Sequence, residues 1–409
     1  LSGGPEIIRV STEAEALEAV AWAADQSWRL EVRGGGSKAA IGRPVDADAV
    51  LDLAGLAGVI TYEPAELVLT ARAATVLAEV EDLLAASGQM LAFEPMDYGP
   101  LLGVSAAATL GGTIAANVSG PRRLKDGAAR DHFLGFQAIS GRGEAFKAGG
   151  KVVKNVTGYD LSKLMAGSWG TLAVLTEVTL KVLPAPRTCA TMVVLGLEPA
   201  DAARAMSRAV GSPADISGAA HLPAAIAARA GLPRAVGAGA ASLLRLEGFG
   251  PSVAARIEML RATLRGLGEL AVLDEPDSRA AWGFVRDVRA FAGDGRIIWR
   301  ISAPPMAGPA ILAALECEIA CEGFLDWAGG LLWLAVDGVP DAGAEVVRRV
   351  CAAHAGQALL VRAPAAERAA LEVFPPEAPA LAALSARVKA SFDPKAILNP
   401  GRMRPQAAA

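Results

Sequence analysis

The stretch Tyr98–Pro121, YGPLLGVSAAATLGGTIAANVSGP, decides how the rest of the chain is read. It holds no charged side chain in 24 residues, a length that could cross a bilayer. Its composition points elsewhere. Gly99, Gly103, Gly111, Gly112 and Gly120 interrupt it, Pro100 and Pro121 stand at its ends, and Thr109, Thr113, Asn117 and Ser119 add polar groups. Lipid would leave so loosened a backbone unsatisfied. Glycine lets a backbone approach closely, so the segment reads as a buried wall against a large, flat, partly polar ligand.

Upstream, Thr12-Glu13-Ala14-Glu15 is a capping box, and Leu17, Val20, Ala21 and Ala24 follow at helical spacing. A short strand, Leu30–Val32, leads into Arg33-Gly34-Gly35-Gly36-Ser37-Lys38. Three glycines after a strand permit positive φ and bare N–H groups turned one way, a nest for anions; a flexible turn is the plain alternative. Neither common phosphate loop is present. The G-x-G-x-x-G spacing fails at Ala39, and Lys151 is followed by Val152 where a P-loop needs Ser or Thr. Strands are expected at Val50–Leu53 and Glu66–Thr70, and a helix from Val76 to Ala86 with Gly88 as its stop.

Downstream the chain turns basic. From Gly120 to Lys163 nine Lys/Arg (122, 123, 125, 130, 142, 147, 151, 154, 163) face four Asp/Glu (126, 131, 144, 160), a local balance of +5 in a chain of −4. That suits a solvated face, an anion site, or a surface for an acidic partner. Gly158–Leu164 reads as a turn into a short helix, and Val174–Leu183 alternates like a strand with one buried face. Pro184 and Pro186 end it and mark the best boundary. The expected division is 1–187, 188–365 and 366–409. The middle part shows strand candidates at Ser242–Glu247 and Leu331–Val336, with alanine-rich helices at 198–210, 252–266 and 308–321. An amphipathic helix is expected at Leu381–Phe392, and Pro405–Ala409 should fray.

With 409 residues, 53% hydrophobic and 20% charged, the chain has material for two or three domains and a sizeable core. A formal charge of −4 gives no global attraction to nucleic acid. Cys189, Cys317, Cys321 and Cys351 are too few for a disulfide scaffold. Cys317 and Cys321 are expected on one helix face, but no second pair completes a metal site, so none is expected. The sequence shows no signal peptide or clean spanning run, and a cytoplasmic, reducing compartment is expected.

Four motifs occur in order: RGGGSK at 33–38, TLGGTIAANVSG at 109–120, GYDLSKLMAGSWGTLAVLTEVTLKVLP at 158–184 and DPKAILNPG at 393–401. Together they resemble the flavoproteins of the vanillyl-alcohol oxidase and p-cresol methylhydroxylase type, and within that family the FAD-binding E-type subunits of bacterial glycolate oxidases. The resemblance covers most of residues 1–187 and the last thirty or so. It implies an α+β fold: a PCMH-type FAD-binding domain of two subdomains, plus a cap built on an antiparallel sheet with helices. It also implies that Arg33, Gly34, Gly35, Gly36, Ser37 and Lys38 form the loop that binds the FAD pyrophosphate. Thr109, Gly111, Gly112, Thr113 and Asn117 would lie along the diphosphate and flavin. Gly158, Gly170, Thr171 and Val174 would hold the ribityl chain and adenine, and Asn399 would return to the flavin.

Departures from the family pattern carry information too. Relatives with a covalent flavin often have a histidine in the glycine loop, where Ser37 and Lys38 stand here, so FAD is expected without a covalent link. Relatives that oxidise D-2-hydroxy acids carry a motif like H-G-D-G-N-x-H; the nearest string, Ala292-Gly293-Asp294-Gly295-Arg296, lacks both histidines and reads as a turn before the strand Ile297–Arg300. Oxidising a hydroxy acid needs a base and a cation for the carboxylate. His132, Arg300 and Arg362 are the candidates, with His221 and His354 in helix-like, alanine-rich surroundings; no complete acid–base set emerges. The resemblance implies a subunit of a glycolate-oxidising complex, working with a sister flavoprotein and an iron–sulfur subunit, cytoplasmic or peripheral at the inner membrane. Two rivals are a self-sufficient flavin oxidoreductase for another alcohol or hydroxy acid, and a non-catalytic scaffold.

Overall fold

The computed structural model describes residues 5–150, 158–233 and 239–405. Lys151 and Lys154 of the basic stretch, and residues 406–409 of the tail, lie outside the described residues. The N-terminal part opens with β1 (Glu6–Arg9), β2 (Leu30–Arg33) and β3 (Ala49–Asp52), a parallel sheet in the order β1-β3-β2. The helix Glu13–Gln26 covers it. Thr12 caps that helix by accepting the Glu15 N–H, and Glu15 returns a carboxylate to the N–H of Ser11.

A second sheet of five strands is antiparallel throughout, in the order β4-β5-β9-β7-β8. Its strands are β4 (Val59–Glu63), β5 (Val68–Arg72), β7 (Phe133–Ser140), β8 (Ala145–Gly149) and β9 (Ala173–Lys181), while β6 (Gln89–Met90) and β10 (Leu183–Pro184) form a small separate pair. The expected strand at Glu66–Thr70 starts later, at Val68. Glu66 belongs to a 3-10 turn opened by Pro64, and Leu67 leaves that turn at φ +58°. The helix Leu77–Ala86 ends as expected, with Gly88 at φ +64°.

The third sheet holds eight strands: β11 (Thr188–Leu195), β12 (Gly218–Leu222), β13 (Ala241–Gly248), β14 (Glu269–Leu273), β15 (Ile297–Ser302), β16 (Cys321–Asp326), β17 (Leu331–Val336) and β18 (Gln357–Arg362). Their order is β14-β11-β13-β12-β16-β17-β15-β18, every pairing antiparallel. The chain is therefore α+β, with a cap on an antiparallel sheet. Strand β17 is buried along its whole length because both faces are covered. Leu332, Leu334 and Val336 face the helices Pro199–Val210, Gly250–Thr263, Gly308–Glu316 and Ala344–Ala353. Leu331, Trp333 and Ala335 face Ile41, Met96, Tyr98 and Leu101 of the N-terminal part.

Three expectations need correction. The helix at 308–321 ends at Glu316; Cys317 is its C-cap and Cys321 opens β16 opposite Val336, so the two cysteines do not share a helix face. Periodicity could not mark that end, because an apolar helix and an apolar buried strand read alike. His221 lies on strand β12, not in a helix: its small neighbours Gly218–Ala220 pack flat between β13 and helices. The helix Pro379–Phe392 buries no residue fully and leaves Leu381 and Leu384 about half exposed.

The cap is tied to the N-terminal part by a buried ion cluster. Arg245 of β13 donates two hydrogen bonds to Glu94, both 2.8 Å. Arg122 donates to Glu247 at 3.0 and 2.6 Å, and its backbone N–H donates to Glu94 at 3.0 Å. Burial pushes both carboxyls up, yet the guanidinia outweigh it: Glu94 lies below the usual range, and Glu247 is held at about 2. Breaking one member of such a set leaves a buried charge poorly compensated, so Arg245→Met should lower unfolding free energy by about 3–5 kcal/mol. Urea denaturation of the variant against the wild-type chain measures it. The Glu247 contribution should be fully present above the ordinary carboxylate pKa and fade only as pH falls towards 2.

Candidate functional site

Strand β2 delivers the glycine loop to the mouth of a cleft. At Gly35 a Cβ atom would sit 1.9 Å from the carbonyl oxygen of Ala107, so the loop lies backbone to backbone on the stretch that precedes Thr109. Gly36 adopts φ +83°, a region glycine enters without steric cost. Among the described residues, no amide N–H from Gly34 to Lys38 has a protein acceptor. Five bare amides in a row are the nest expected of an anion site.

The cations around this loop are buried and short of partners. Lys38 is 9% exposed, and its ammonium has one hydrogen-bond partner among the described residues, Ser37 Oγ at 3.1 Å. Burial lowers its pKa to about 8. Arg402 donates from Nη2 to the Lys38 carbonyl at 2.8 Å, while its Nε is buried without a partner. Burial lowers its pKa to about 10. Arg33 pairs with Glu31 at 2.9 Å and also keeps a buried, unpartnered Nε. Orphaned donors and a lysine with no ion-pair partner cost free energy unless an anion arrives. A diphosphate supplies what this corner lacks, so the residues present fit a dinucleotide cofactor.

The remaining walls are smooth and small. Ala73, Ala74, Gly111, Gly112, Ala115 and Ala116 line one side, and Trp169 and Gly170 another. At Gly111 a Cβ would meet Ala73 at 2.6 Å, and the Gly111 N–H donates to the Ala73 carbonyl at 2.7 Å. Asn399 pins the C-terminal return: its Oδ1 accepts the Val32 N–H at 2.8 Å and its Nδ2 donates to the Trp169 carbonyl at 2.9 Å. Asp393 braces that return, accepting the N–H groups of Ile397 and Leu398.

Of the residues named from sequence, Arg33, Gly34, Gly35, Gly36, Ser37, Lys38, Thr109, Gly111, Gly112, Gly170 and Asn399 meet in this cleft. Five do not line it. Thr113 and Val174 are buried beneath it, Asn117 accepts the Arg130 N–H, Thr171 donates to the Ser168 carbonyl, and Gly158 is exposed with nothing within 4 Å of its Cβ position. His132 also stays away: its Nε2 lies 2.8 Å from the Asp126 carbonyl oxygen and its ring packs on Phe93. Arg362 is spent on the carbonyls of Arg296, Leu101 and Phe291 and on Asp294. His221 is fully buried against Ser242, and burial lowers its pKa to about 4. His354 caps the helix Ala344–Ala353. Sequence reasoning missed Arg402 and Trp169. Arg402 had a signal, a cation directly after Asn399-Pro400-Gly401; Trp169 stood inside a quoted motif without a role.

A family model described as an FAD binding domain matches residues 5–149. Glycolate oxidase subunit GlcE of Escherichia coli (strain K12) is 34% identical over 391 residues, 95% of this chain and 96% of that one. The chain belongs to the GlcE family of glycolate oxidase subunits. It is accordingly an FAD-dependent oxidoreductase. Glycolate oxidase subunit GlcD of Bacillus subtilis (strain 168) is 42% identical over 87 residues, 21% of this chain and 18% of that one. The fold of this GlcE-family chain matches p-cresol methylhydroxylase with substrate bound, at TM-score 0.72 and 15% identity over 97% of this chain and 88% of that one.

A GlcE-family cleft that relies on Lys38 should bind FAD in a pH-dependent way. The empty site loses the Lys38 charge as pH rises through about 8, while a bound diphosphate favours the charged form. FAD affinity should be flat below that pH and fall above it, by up to about tenfold per unit. Lys38→Met should weaken binding at pH 7 by about 10- to 100-fold and flatten the profile. Quenching of FAD fluorescence across pH 6–10 reads both.

Proposed function

We propose that this chain is the FAD-carrying E-type subunit of a complex that oxidises glycolate to glyoxylate, passing electrons through its flavin towards an iron–sulfur subunit. The observation that carries the reading is the cleft: five unpaired amides with Lys38 and Arg402, in a chain that aligns with a glycolate oxidase subunit along nearly its whole length. Bound FAD would supply the acceptor for a hydride equivalent. The chain's part is positional: the Gly34–Lys38 amides, Lys38 and Arg402 hold the diphosphate. Gly111, Gly112, Ala115 and Ala116 offer a flat wall, and Trp169 and Asn399 close the far side.

Non-covalent attachment belongs to the same proposal. Ser37 and Lys38 stand where some relatives place a histidine, and among the described residues the cleft lining contains no histidine, cysteine or tyrosine. The division at 187/188 and 365/366 is supported by the end of the small β6–β10 pair at Pro184 and by the last cap strand, which closes at Arg362. We assign the hydroxy-acid chemistry of the complex chiefly to a sister flavoprotein, because neither cap histidine of the H-G-D-G-N-x-H pattern is present at Ala292–Arg296, which forms the turn before β15. Among the described residues no helix is long and apolar enough to cross a membrane. A cytoplasmic position, reaching the inner membrane through partners, is the arrangement proposed.

An absorption spectrum of the purified chain tests this reading. A flavin band should be present or return on adding FAD, and acid precipitation should release all of it to the supernatant. Anaerobic glycolate should bleach it slowly or not at all until the sister and iron–sulfur subunits are added. Full glycolate turnover by the isolated chain would establish the self-sufficient alternative, and no binding of FAD the scaffold.

A further inference from the structure

Two walls of the cofactor cleft are held from behind by one ammonium group. Lys389 lies in the last turn of the helix Pro379–Phe392. Its Nζ donates to the Thr171 carbonyl at 2.6 Å, to the Leu398 carbonyl at 3.1 Å and to Asp393 Oδ2 at 2.5 Å. Three donors are all that an ammonium has to give. Both carbonyls stand next to the cleft. Thr171 follows Trp169 and Gly170, and Leu398 precedes Asn399, all three of which line it. Asp393 is 1% exposed and ties the same return by accepting the Ile397 N–H at 3.0 Å and the Leu398 N–H at 2.8 Å.

The segments that Lys389 joins occupy backbone conformations that side chains seldom adopt. Trp169 stands at φ +54°, Ala396 at +51° and Asn399 at +42°. Outside glycine, this left-handed region persists where the surroundings enforce it. Part of the enforcement is mutual: Asn399 Nδ2 donates to the Trp169 carbonyl, and a Cβ at Gly170 would come 2.7 Å from that nitrogen. Lys389 adds a bond to a carbonyl on each side. Its counter-ion has little room to swing away, since a Cβ at Gly141, in the turn between β7 and β8, would lie 2.3 Å from Asp393 Oδ1.

We propose that Lys389 is a positioning residue for FAD: by joining Thr171, Leu398 and Asp393, its ammonium sets Trp169, Gly170 and Asn399 at the spacing the cofactor meets. The proposal rests on the FAD reading of the cleft and adds a residue behind its wall, for among the described residues Lys389 is not part of the lining. Hydrogen bonds from a charged donor are stronger than neutral ones, and three from one atom fix two segments in direction as well as distance. Methionine at 389 would keep much of the stem and lose all three bonds. Arginine would keep the charge, but its planar fork differs from the three-way geometry of an ammonium.

FAD titrations of the purified full chain, followed by quenching of flavin fluorescence, test this, with circular dichroism and melting of the FAD-free samples alongside. Lys389→Met should raise Kd about tenfold, and Lys389→Arg by a smaller factor. Adding Asn399→Ala to Lys389→Met should cost little beyond the weaker single variant, because both act through one wall. Adding Lys38→Met instead should multiply the losses. A merely structural role gives another pattern, a lower melting temperature with unchanged Kd, and that result would overturn the proposal. Losses that multiply in the Lys389→Met/Asn399→Ala pair would overturn it too. Should Lys389→Met fail to fold, Lys389→Arg decides: with native dichroism, a raised Kd upholds the proposal and an unchanged Kd overturns it. A wild-type chain that binds no FAD would overturn the cofactor reading and this proposal with it; equal binding by wild type and variants overturns the proposal alone.

Discussion

The architecture depends on four charges buried between its halves. Glu94 and Arg122 bracket the glycine-rich stretch at its two ends, and Arg245 and Glu247 stand two residues apart on one face of β13. Any one of them alone would cost several kcal/mol to bury; two of each sign, with hydrogen bonds on both sides, offset that cost. Ser217 joins the set through Glu247 and Arg245, and the Arg245 guanidinium lies 4.5 Å from the centroid of the Trp282 ring. The set has little freedom to slide, because each bidentate pair fixes direction as well as distance. Gly120 adds a steric limit: a Cβ there would come within 2.1 Å of the Glu94 carbonyl oxygen. The stretch from Tyr98 to Pro121 is thus held at both ends, and the cleft it lines inherits that rigidity.

Within the cleft the charge balance is the opposite. Lys38, Arg402 and the Nε of Arg33 are buried with one nearby ion-paired carboxylate, Glu31. Burial away from ion-pair partners lowers the pKa of Lys38 to about 8 and that of Arg402 to about 10. A bound dianion offsets that burial, so cofactor binding and stability are linked in this chain. The interdomain set is neutral in sum and serves cohesion; the cleft set is positive in sum and serves recognition.

Much of this was legible in the residues. The RGGGSK loop, the Gly111-Gly112 pair and Asn399 carry local backbone requirements, and those are written in composition and order. Leu331–Val336 was legible as a strand because six apolar residues bounded by glycines leave few alternatives. The burial of Thr113 and Val174 was not legible, since periodicity within a short helix or a two-faced strand does not say which neighbour covers it. The break between Glu316 and Cys321 was hidden for the same reason. Arg402 escaped notice because its role depends on a contact with Lys38, 364 residues earlier. Arg245 and Glu94 escaped likewise, being partners across 151 residues. Arg300, a candidate cation from the sequence, lies on β15 with its guanidinium 5.0 Å from the centroid of the Trp327 ring, a contact the sequence did not show.

The C-terminal return has a kinetic consequence. Asn399 closes a loop of 367 residues onto Val32, and Leu398 bridges to Leu30 beside it. Contacts so distant in sequence slow folding, because the closure entropy must be met before they reward the chain. The glycine loop can fold early with its own sheet, yet Trp169, Asn399 and Arg402 complete the cleft only when the tail docks. FAD therefore meets the complete cleft only in a chain whose C-terminal return is docked.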